Sequence, residues 1–83
     1  MMIPTIYERH IWKATSPIGE IVMAAKTIQY GEKQYGYELE LTLNGKVDYT
    51  QSFDSEAETP EGVLDKLNIL LHSMLEANNA QLI

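Results

Sequence analysis

His10 and His72 are the only histidines in this 83-residue chain, and they carry most of the acid–base chemistry it offers. His10 stands between Arg9 and Ile11, with Glu8 two residues back, so on an extended strand Glu8 and His10 share a face. The hairpin register expected below places Lys26 across from His10 and gathers Glu8, His10 and Lys26 into a cross-strand polar cluster. A general base also needs an acid, an orienting group and a pocket. Nothing in the sequence supplies the pocket, so the cluster reads as structural. His72 lies far from His10 with no ligand spacing between them, which makes a poor metal site.

Cysteine is absent, which removes disulfides, thiolate zinc sites and cysteine nucleophiles, and favours a reducing interior. Ser16, Ser52, Ser55 and Ser73 fall in turn, strand-end, linker and helix contexts, none of them a G-x-S-x-G elbow. No glycine-rich phosphate loop is present. The expectation is a protein that is not an enzyme, with no cofactor and no metal.

Twelve acidic residues against six basic ones leave a formal charge of −6. That charge repels phosphate backbones, so no direct nucleic-acid binding is expected. Tyr7, Trp12, Tyr30, Tyr35, Tyr37 and Tyr49 would make a stacking platform only beside a basic groove, and core packing accounts for them more simply. Asp54, Glu56, Glu58 and Glu61 crowd four carboxylates into eight residues, and Glu38 and Glu40 extend the set. Such a run is either a solvated linker or an acidic patch that docks on a basic protein surface. The start Met1-Met2-Ile3-Pro4 has no basic region followed by an apolar run, and no stretch is long enough to span a bilayer. A soluble, cytoplasmic protein with no membrane partner is expected.

These side chains must be positioned by a few recognisable elements. Thr59–Asn78 reads as a helix: Thr59 caps it, Pro60 fits its first position, and Glu61 and Asp65 favour the positive end of its dipole. Val63, Leu64, Leu67, Leu70, Leu71, Met74 and Leu75 recur at helical spacing along one face, with Ile69 off the stripe. The segment is roughly 28 Å long, enough to cross a small sheet.

Upstream, Ile6–Ala14 and Ile21–Tyr30 read as strands joined by Ser16-Pro17-Ile18-Gly19, which suits a type I turn followed by a glycine bulge. A helix over Pro17–Tyr30 also fits the periodicity, but Gly19 and the β-branched content favour the strand. The expected register sets Thr15 across from Ile21, Ala14 from Val22, Trp12 from Ala24 and Glu8 from Ile28. One face then carries Ile6, Trp12, Ala14, Val22, Ala24, Ile28 and Tyr30, and the other carries Tyr7, Ile11, Ile21, Met23 and Ala25. Both faces are apolar, more than a single helix can cover.

After the polar loop Gly31–Gly36, Tyr37–Thr42 alternates with Leu39 and Leu41 on one face and Glu38 and Glu40 on the other. A three-residue loop, Leu43-Asn44-Gly45, matches Leu41 to Val47 and Leu39 to Tyr49, with Gln51 and Phe53 continuing that face. Residues 54–58 then form an acidic linker to the helix.

The chain is thus expected to be one small α+β domain spanning residues 1–83. Its architecture is an antiparallel β-meander of four strands, built as two hairpins, with a C-terminal α-helix on one face (β-β-β-β-α). The leading function is a non-enzymatic protein-interaction module that forms a homodimer through Tyr7, Ile11, Ile21, Met23 and Ala25. On this expectation Ile21→Lys dissociates the dimer. The alternative is an inhibitor of the phage or plasmid type. It would occlude a basic, nucleic-acid-binding surface of a partner protein through Glu38, Glu40, Asp54, Glu56, Glu58 and Glu61.

Overall fold

The computed structural model describes residues 3–83, and for residues 54–56 the backbone alone. Its elements run β1 (Thr5–Ser16), β2 (Gly19–Gly31), β3 (Gln34–Leu43), β4 (Lys46–Ala57), α1 (Pro60–Ala77) and β5 (Gln81–Leu82). The strands form one antiparallel sheet in the order β4-β3-β2-β1-β5, with α1 packed on one face. The β-β-β-β-α order expected from sequence is the fold, and Pro17–Tyr30 belongs to a strand, not a helix. Two elements differ in extent. β5 adds a short fifth strand against Ala14 and Thr15, and β4 continues through the expected linker as far as Ala57.

The helix ends where its capping residues dictate. Thr59 keeps an extended backbone, and its Oγ1 accepts the Gly62 N–H at 3.1 Å, with Pro60 following in the first turn. At the other end Asn79 takes a left-handed φ of 50°, and the Ala80 N–H reaches back to the Leu75 carbonyl at 2.8 Å, which stops the helix and turns the chain toward β5. Thr59→Ala should therefore lower stability by about 1 kcal/mol. Urea denaturation would show this as a lower midpoint at an unchanged slope.

Both hairpins depart from the expected register. In the first, Ser16 pairs directly with Gly19, so the loop is the two residues Pro17-Ile18 and not a turn with a bulge. Ala14 then faces Ile21, Trp12 faces Met23 and His10 faces Ala25. A slip of one residue exchanges the faces of a strand. Hence Trp12 and Ala14 share the helix side with Ile21, Met23 and Ala25, while Ile11 shares the outer side with Val22 and Ala24. In the second hairpin the loop is also two residues: Asn44 and Gly45 take φ of 50° and 84°, the backbone that Asn-Gly favours in tight hairpins. Leu43 pairs with Lys46 and Thr42 with Val47, and an irregularity at Asp48 then lets Leu41 pair with Tyr49. Tyr49, Gln51 and Phe53 keep the expected face, but Val47 moves to the outer one with Thr42.

The core follows from this register. Ile21, Met23, Ala25, Tyr37 and Leu39 of the sheet meet Val63, Leu67, Leu71 and Met74 of α1 in one buried cluster. Ile21 and Met23 are only 5% and 1% exposed. The face expected to self-associate is therefore corrected: Ile21, Met23 and Ala25 lie inside the subunit beneath α1, and of the five residues only Tyr7 and Ile11 are exposed. Ile69, off the helical stripe, stays in solvent.

Candidate interaction surface

The polar cluster around His10 forms with a different membership. Lys26 pairs with Arg9 on the outer face, whereas His10 points to the helix side, its Nε2 3.2 Å from Thr27 Oγ1 and 3.8 Å from Glu8 Oε2. The imidazole stacks on Trp12 with ring centroids 5.6 Å apart. Thr27 is 1% exposed, which closes its hydroxyl to any substrate. The arrangement satisfies a buried hydroxyl beside an aromatic pair, a structural task. His72 stands exposed on α1. Among the described residues no group of three His, Cys, Asp or Glu side chains is placed to hold a metal ion. No helix of the described chain is long and apolar enough to cross a membrane.

The acidic residues are divided by the sheet. Glu38 and Glu40 project from β3 on the outer face, while Glu61 lies on the helix that covers the opposite face, with Glu58 just before it. The side chains of Asp54 and Glu56 lie outside the described residues. The expected acidic set is thus not one continuous patch among its described members.

The outer face is the larger feature, and its composition follows from the register. Three adjacent rows cross the four long strands: Lys13, Val22, Thr42 and Val47; then Ile11, Ala24, Glu40 and Thr50; then Arg9, Lys26, Glu38 and Ser52. Ile6 continues it at one end, beside Ile28, which is buried. No helix lies over this side, and Ile11 and Val47 are 67% and 60% exposed. Between β2, β3 and β4 the face dips into a shallow concavity of about 570 Å³ bordered by Lys26, Glu38, Glu40 and Thr50.

Reading the hairpin one residue out of register hid this composition. It set Ile11 among Ile21, Met23 and Ala25, and so missed that Arg9, Lys13 and Lys26 line up beside Val22 and Ala24. Pairing the two large apolar side chains nearest mid-hairpin, Trp12 with Met23, was the signal that would have found it. Comparison with known protein families, characterised proteins and solved structures returns no match, so the surface must speak through its own chemistry.

Proposed function

We propose that this chain is a small, non-enzymatic interaction module whose partner is a second copy of itself, joined through the outer sheet face. The observation that carries the reading is the composition of that face: Ile11, Val22 and Ala24 adjoin on β1 and β2, with Val47 across Thr42 on β4, on a side of the sheet that no helix covers. A chain this short buries a limited core, and association is the common supplement. The inhibitory role is less well supported, because it needs a continuous acidic patch and the described carboxylates are split between the two sides of the sheet. Freedom from cysteine fits work in the reducing cytoplasm.

Sedimentation velocity across the micromolar range tests the reading: a reversible dimer is expected, and a strict monomer overturns it. Ile11→Asp should raise the dimer Kd by about tenfold or more, because it sets a carboxylate in a desolvated contact. The subunit should stay folded, since Ile11 is outside its core.

A further inference from the structure

The charges on the outer face are arranged, and their arrangement selects one way for two copies to meet. The chain as a whole has twice as many acidic as basic residues, yet the paired outer positions hold three cations, Arg9, Lys13 and Lys26, and three carboxylates, Glu20, Glu38 and Glu40. Among these paired, described positions an acidic protein thus presents balanced charges on one face, the side on which two like-charged copies approach at least cost. The signs are also segregated. The cations stand on β1 and β2, while Glu38 and Glu40 stand on β3 at the same level along the strands; Glu20 is on β2, but beyond these rows at the turn end.

We infer that two copies pack outer face to outer face about a two-fold axis parallel to the strands and between β2 and β3, so that Lys26 of each subunit meets the partner's Glu38. The inference rests on the self-association proposed above and adds its geometry. Rotation about that axis lays β2 over the partner's β3 and β1 over the partner's β4, each row meeting its own row. Lys26 then faces the partner's Glu38, and symmetry makes the contact twice. Arg9 faces the partner's Ser52, Val22 faces its Thr42, and Ala24 faces its Glu40, which lies one row from the Lys26 that meets Glu38. A two-fold axis across the strands would instead lay each strand on its own copy, setting Arg9 against the partner's Lys13 and Glu40 against its own counterpart. Like charges in contact oppose association, so that arrangement is rejected.

The dimensions suit the contact. Four strands about 4.8 Å apart, with roughly ten residues each at about 3.3 Å, give a face of roughly 600 Å². That approaches the ~800 Å² per partner of a standard interface. Two sheets pack about 10 Å apart, which leaves room for the Lys26 stem and the Glu38 side chain to meet between them.

Lys26 and Glu38 are also neighbours within one chain, so the test must separate the two relations. Lys26→Glu gives a chain with carboxylates at both positions, and Glu38→Lys gives one with amines at both. Each variant alone should be folded by circular dichroism, and its dimer Kd should rise roughly 100-fold. Mixed in equal amounts, the two should form a heterodimer, read by native mass spectrometry. Neither chain regains an attractive pair of its own in the mixture, so recovery reports contact across subunits. Variants that dimerise like the natural chain, or a mixture that stays monomeric, overturn the inference. Lys26→Gln and Glu38→Gln avoid in-chain repulsion and decide the matter if a reversal melts early: each should weaken the dimer about tenfold, and an unchanged Kd overturns the geometry. A natural chain that is monomeric sinks self-association itself. One that dimerises regardless of charge at both positions sinks only this axis, and points to pairing along an exposed edge strand.

Discussion

Ile21→Lys is expected to unfold the subunit, not to separate two folded ones. Ile21 is 5% exposed and contributes to the cluster formed with α1. Replacing it forfeits burial of a large aliphatic side chain, about 1.5–3 kcal/mol. It also places an ammonium group among Ala14, Leu43 and the helix, with no carboxylate on that face at its paired positions. An uncompensated charge in such a site adds several kcal/mol unless the side chain reaches solvent. A domain of this length has roughly 4–12 kcal/mol of stability in all. The sum of the two costs consumes most of it, so loss of the cooperative thermal transition is the expected result. The contrast with Ile11, which is exposed on the other side of the sheet, is the sharper measurement. Ile11→Lys should leave the far-ultraviolet dichroism and the melting cooperativity intact. If Ile21→Lys were to stay folded while a dimer fell apart, the assignment of sheet faces would be reversed.

That contrast marks where the sequence was legible and where it was not. The helix was readable almost to the residue, because Thr59, Pro60 and the leucine spacing each act locally and agree. The strands were readable too, since alternation in Tyr37–Thr42 and the turn residues Pro17 and Asn44-Gly45 are local signals. Register was less so. It depends on a choice between loops differing by one residue, and β1 and β2 are apolar on both faces, so neither pattern vetoed the wrong pairing. The second hairpin shows the same limit differently: alternation demanded that Leu41 and Tyr49 share a face, and the chain meets that demand by an irregularity at Asp48, not by a longer loop. β5 left almost no trace, being two residues whose pairing with Ala14 and Thr15 depends on where the helix ends. Of the candidate surface, Ile11, Glu38 and Glu40 were visible in the sequence, but their common face with Lys26 was not.

The register of the first hairpin is fixed by a residue of the second, and a mutant cycle should expose that coupling. Asn44 lies in the neighbouring turn at the same end of the sheet. Its Oδ1 accepts the Glu20 N–H at 3.0 Å, and its Nδ2 donates to the Ile18 carbonyl at 3.1 Å. Its own N–H donates to the Glu20 carbonyl at 2.9 Å. A slip of one residue in the first hairpin would reshape the loop and carry the Ile18 carbonyl away from the carboxamide, while Glu20 stays paired beside β3, so Asn44 clamps the two-residue loop in place. Gly19 sits inside the clamp with a φ of 137°, where a side chain is strained, and a Cβ there would run into the Asn44 carboxamide. Gly19→Ala therefore combines backbone strain of about 1–3 kcal/mol with displacement of two hydrogen bonds worth about 1 kcal/mol each. Asn44→Gly removes the carboxamide while accommodating the positive φ of that position, so it loses the bonds alone. In that background Gly19→Ala has no carboxamide to collide with, and its cost should shrink to the backbone strain. Urea denaturation of the four chains should thus yield a coupling of about 1–2 kcal/mol. Additivity of the two substitutions within about 0.5 kcal/mol would mean that the turns hold their shapes independently, and that the clamp does not set the register.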